Sequence, residues 1–96
     1  MSYNGKISLI WANDRGEPCA RNGVCVDVCS RGIRVTVDTQ IPARTVVTVK
    51  ARELDLHGSA SVRTCIRVGV RYMLGLEFVG GMKWQLPAHL IATSAD

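Results

Sequence analysis

Along most of this chain apolar and polar residues alternate with a period of two, in short runs that end at glycine, proline, asparagine or aspartate. Successive side chains of an extended strand point to opposite faces, so such runs predict half-buried β-strands. Residues 6–11 place Ile7, Leu9 and Trp11 on one face. Asn13-Asp14-Arg15-Gly16 is a turn signal, and Pro18 and Asn22-Gly23 predict irregular chain before the next strand. That strand covers 23–28, with Val24, Val26 and Val28 on one side and Cys25 and Asp27 on the other. A third, over 33–37, sets Ile33, Val35 and Val37 against Arg34 and Thr36, and the link 29–32 has hairpin length. Residues 38–44, with Pro42, read as a loop, and 45–51 as a fourth strand. The stretch 52–58 is polar and turn-like, although Leu54 and Leu56 can pack there. The cleanest alternation runs over 59–68, with Ala60, Val62, Thr64, Ile66 and Val68 against Ser61, Arg63, Cys65 and Arg67. A turn at 69–71 leads to a sixth strand over 73–79, which Gly80-Gly81 ends.

Short strands at close spacing with turn residues between them predict a closed barrel or a small sandwich. Closure hides sheet edges, which a chain this rich in valine needs. Composition agrees, because β-branched side chains lose rotamer freedom in helices and pack well on pleated surfaces. The fold class is all-β. The chain has 96 residues, the size of one domain with one core. Its barrel occupies about residues 6–80, and 81–96 form a C-terminal extension. In that extension Pro87 suits the first turn of a short helix, and Trp84, Leu86, Leu90 and Ile91 supply a docking face. The competing expectation is a frayed terminus.

The formal charge is +4, and nearly all the cations are arginine, with lysine only at Lys6, Lys50 and Lys83. Arginine's planar fork suits phosphates and guanine edges, but a charge this small also fits an ordinary surface. The N-terminus lacks the basic and apolar pattern of a leader, and no apolar run approaches the ~20 residues that span a bilayer. A cytoplasmic protein with no membrane insertion is the expectation. Its cysteines, Cys19, Cys25, Cys29 and Cys65, form no C-x-x-C pair, so they read as reduced, small, semi-buried residues, with no metal site.

Catalysis is not expected. Nucleophilic chemistry needs a base beside a serine or cysteine, and the two imidazoles, His57 and His89, lie in a polar loop and in the tail. No glycine-rich phosphate loop and no paired carboxylates occur. A single-strand nucleic-acid barrel stacks bases on aromatic side chains. With Trp11 and Phe78 assigned to the core, too few aromatics remain, so no DNA or RNA partner is expected. The weaker alternative, an unspecific RNA- or DNA-binding barrel using Arg34, Arg63, Arg67 and Arg71, predicts affinity that falls steeply with salt.

The most specific feature is the corner Asp27-Val28-Cys29-Ser30-Arg31-Gly32. An aspartate before a turn ordinarily caps it. The corner also resembles the motif of the PilZ family, bacterial receptors for cyclic di-GMP, in which Asp or Asn is followed by any residue, Ser, two of any kind and Gly. Leu74-Gly75-Leu76-Glu77-Phe78 resembles that family's last barrel strand, and Ser61-Val62-Arg63 the strand before it. The similarity covers roughly residues 6–80. It implies a six-stranded antiparallel barrel that binds cyclic di-GMP as a signalling module, with Asp27, Cys29, Ser30, Arg31 and Gly32 at the ligand. A carboxylate accepts guanine N1–H and N2–H, an arginine fork matches O6 and N7, and a glycine permits positive φ and close backbone approach.

Two positions depart from the family pattern. Cys29 stands where the family has serine, and a thiol is a poor hydrogen-bonding substitute. The family's Arg-x-x-x-Arg segment before the first strand has no counterpart in Met1–Lys6. Each lost charge-assisted contact contributes about 1.5–3 kcal/mol, so binding is expected to be weak. Either the chain is a fragment cut inside that motif or it is a divergent member. The alternative function is a PilZ-like adaptor that binds a protein partner and no nucleotide.

Overall fold

A computed structural model describes residues 2–80. The expected extension over 81–96 lies outside these residues. Six strands follow one another: β1 (Ser2–Ala12), β2 (Pro18–Val28), β3 (Gly32–Val37), β4 (Val46–Ala51), β5 (Leu56–Val68) and β6 (Arg71–Phe78). They close into a barrel in the order β1-β2-β3-β6-β5-β4, every neighbouring pair antiparallel. The barrel is thus the observed alternative, not the sandwich. The seam is the pairing of β1 with β4, where Ser8, Leu9 and Ile10 face Lys50, Val49 and Thr48.

The faces expected for β1 and β3 are those observed, and β4 and β6 alternate between inside and outside in the same way. Ile7, Leu9, Ile33, Val35, Val37, Val47, Val49, Ala51, Leu74, Leu76 and Phe78 all face the core. The connections contribute too. Ile41 is buried from the loop after β3, and Leu54 from a 3₁₀ turn (Arg52–Leu54) after β4. Asp55 then takes a left-handed conformation, φ 50°, that turns the chain into β5. Each fully buried aliphatic side chain contributes roughly 1.5–3 kcal/mol, which gives these loop residues the weight of strand residues.

Four expectations need correction. β2 begins at Pro18, not near Gly23, and Pro18–Asn22 are regular strand opposite Ala12–Ser8. Proline is compatible with the first position of a strand because no ladder donor is required there. Asn22, expected in irregular chain, is likewise within the sheet, opposite Ser8, and at Gly23, the expected start of the strand, a Cβ would come within 2.5 Å of the Thr36 carbonyl oxygen. Third, Cys25 points into the core while Val24 and Val26 are only half-buried. The β2–β3 register passes from Cys25↔Val35 to Asp27↔Arg34, so Val26 is an extra residue, a β-bulge that reverses the phase of the strand. Val28 therefore returns inward and Asp27 stays outward.

The fourth correction is in β5, which begins at Leu56. Its pairing with β6 passes from Val62↔Leu76 to Thr64↔Gly75, leaving Arg63 as the extra residue. Beyond it Ile66 and Val68 face outward, 59% and 56% exposed, while Cys65 packs against the core. The physical reason is that β4 starts opposite Ser61, so the later part of β5 pairs with β6 alone and reaches past the barrel wall.

Candidate functional site

The β2–β3 corner is held by backbone hydrogen bonds at both ends. Cys29 N–H donates to the Gly32 carbonyl at 2.9 Å, and Phe78 N–H donates to the Arg31 carbonyl at 2.8 Å. Cys29, Ser30 and Arg31 are exposed. Gly32 is not among the residues with positive φ, so its expected role in the turn is corrected. A Cβ at this position would run into the Leu76 carbonyl oxygen of β6. The glycine is required by close packing of two strands, with no left-handed turn.

The Val26 bulge puts Asp27 on the outer surface directly across from Arg34. Asp27 is half-buried there and Arg34 is exposed. The two border a shallow concavity of about 290 Å³ together with Cys29, Arg31, Arg63 and Glu77. Four of the five expected site residues thus meet on one surface, and Ser30 is the one that does not line it. Cys29 departs from the expectation of semi-buried cysteines, whereas Cys25 is buried and Cys19 and Cys65 are intermediate.

Arg34 and Arg63 were not assigned to this corner from sequence. Arg63 lies on β5, far from the motif, and reaches the concavity because β6 lies between β3 and β5. Its Nη2 donates to Glu77 Oε1 at 3.1 Å, with both side chains about half exposed. Exposed pairs of this kind contribute about 0–1 kcal/mol, so a phosphate can displace Glu77 from Arg63 at little cost. Arg67 and Arg71, the other arginines on this hairpin, instead donate to the Gly69 and Thr36 carbonyls at 3.0 and 3.2 Å.

The corner can therefore receive a planar donor edge at Asp27 and anionic oxygens at the surrounding guanidinium groups. Among the described residues no cluster of three His, Cys, Asp or Glu side chains is arranged to hold a metal ion. No helix among them is long and apolar enough to cross a membrane. Comparison with family models, curated proteins and solved structures gives no match for this chain.

Proposed function

We propose that this chain is a non-enzymatic signalling module of the PilZ type, which takes cyclic di-GMP on the β2–β3 corner. The observation that supports this reading is the outward Asp27, grouped with Arg31, Arg34 and Arg63 around one concavity. Asp27 accepts the two donors of a guanine edge, and the arginines take phosphate oxygens or O6 and N7. The motif thiol and the missing Arg-x-x-x-Arg segment keep the affinity low; Arg34 and Arg63 supply part of the lost charge. A receptor of this kind works in the bacterial cytoplasm, where its thiols stay reduced.

The test is calorimetric titration with cyclic di-GMP. Saturable heat is expected, and Asp27→Ala abolishes it while the variant keeps the far-ultraviolet circular dichroism of the folded barrel. Absence of heat up to high micromolar ligand overturns the reading. A second reading, the protein-binding adaptor, is favoured by Ile66, Val68 and Val70 on the β5–β6 hairpin, with Val70 87% exposed. Contiguous exposed apolar side chains of this kind mark interaction surfaces.

A further inference from the structure

Among the described residues a groove larger than the Asp27 concavity lies elsewhere. It measures about 680 Å³ and shares no lining residue with the Asp27 corner. Among the described residues four cations border it, Lys6 of β1, Lys50 of β4, Arg52 of the 3₁₀ turn and Arg71 of β6, with Glu53 the one carboxylate. The Asp27 concavity, by contrast, sets Asp27 and Glu77 against three arginines. The described lining of the larger groove is thus the more positive of the two. We propose that this groove is a second binding site, for an oligophosphate chain.

The register explains how residues distant in sequence form one surface. Ser8 pairs with Lys50 across the β1–β4 seam and with Asn22 across β1–β2. These three positions therefore form one row across three strands. Lys6 lies two residues from Ser8 and shares its face. The Ser8 hydroxyl donates to Asn22 Oδ1 at 3.3 Å, and both side chains border the groove. Arg71 is anchored by its bond from Nη2 to the Thr36 carbonyl, which holds its remaining donors near the groove.

Several cations facing one hollow favour a ligand with several adjacent negative charges. Ammonium groups act as mobile point charges, and guanidinium groups grip phosphate in bidentate fashion. No aromatic side chain among the described residues lines the groove. Base stacking then adds nothing, so the phosphates carry recognition and a single-stranded nucleic acid is disfavoured.

Sodium tripolyphosphate is the probe, titrated at matched ionic strength and followed by calorimetry and by amide shifts in ¹H–¹⁵N spectra. One-to-one saturable binding is expected, with the largest shifts at Ser8, Asn22 and Lys50. The double variant Lys50→Ala/Arg52→Ala weakens it by about tenfold or more. The matched double variant Arg15→Ala/Arg67→Ala, whose side chains line neither surface, leaves it within about twofold. The shift map needs no substitution, so it stands even if a variant folds poorly. Failure to saturate, equal weakening by both double variants, or preference for oligothymidylate over tripolyphosphate overturns the proposal. Loss of cyclic di-GMP binding in Asp27→Ala bears on the other surface alone.

Discussion

Burial pushes the Cys25 thiol above its ordinary value of 9.0. Desolvation is the largest cause; a backbone hydrogen bond with Asp27 opposes it, and the charge of Asp27 adds to it. The sign follows from linkage. The folded state holds this proton more tightly than the unfolded state does, so the stabilisation is complete below the unfolded pKa and is lost as pH rises through the folded one. Urea midpoints are therefore expected to fall as pH rises above about 9, and this part of the loss is absent in Cys25→Ala. In the native protein iodoacetamide should modify exposed Cys29 well before Cys25, which becomes reactive on unfolding. Equal native rates for the two would contradict the inward placement of Cys25. Alternation alone put this thiol on the outer face, because a period of two carries no sign of an extra residue upstream of Asp27.

Two bulges, at Val26 and Arg63, govern what the strands display. A one-residue phase change moves every later side chain to the other face. In β2 it leaves Asp27 outside and Val28 inside; in β5 it leaves Ile66 and Val68 outside. The regular strands β3, β4 and β6 were legible from their residues because Ile33-Arg34-Val35, Val47-Thr48-Val49 and Leu74-Gly75-Leu76 alternate without interruption. Bulges depend on hydrogen bonding to neighbouring strands, information that no single strand contains. The consequence can be measured by urea unfolding. Ile66→Thr and Val68→Thr are expected to change stability by less than about 0.5 kcal/mol, as exposed positions do. Leu74→Ala, opposite Cys65 and fully buried, should cost about 2–5 kcal/mol. A large loss in either threonine variant would place those side chains in the core.

Closure brings β3 and β6 together so tightly that Gly32 leaves no room for a methyl group against Leu76. Neighbouring backbone cannot yield as the end of a flexible side chain does, so Gly32→Ala is expected to destabilise by about 1–3 kcal/mol or more. Gly16 offers a contrast within the same molecule. It has φ +77° and nothing near its missing Cβ, so Gly16→Ala pays only the backbone term of about 1–2 kcal/mol. Denaturant midpoints that rank Gly16→Ala as the worse variant would rule out the close approach at the β3–β6 pairing. The same closure gathers Asp27, Arg34 and Arg63 at one surface and Lys6, Lys50, Arg52 and Arg71 at another. Neither group is contiguous in the chain.

By itself the order of valines, turns and glycines determined an all-β chain of six strands and marked the Asp27 corner, since period and turn chemistry are local properties. The strand order around the barrel, the two phase reversals and both cationic surfaces were decided only in three dimensions. Alternation states that neighbouring side chains oppose each other; which of them meets the interior depends on the partner strand, and partners are chosen by the whole fold.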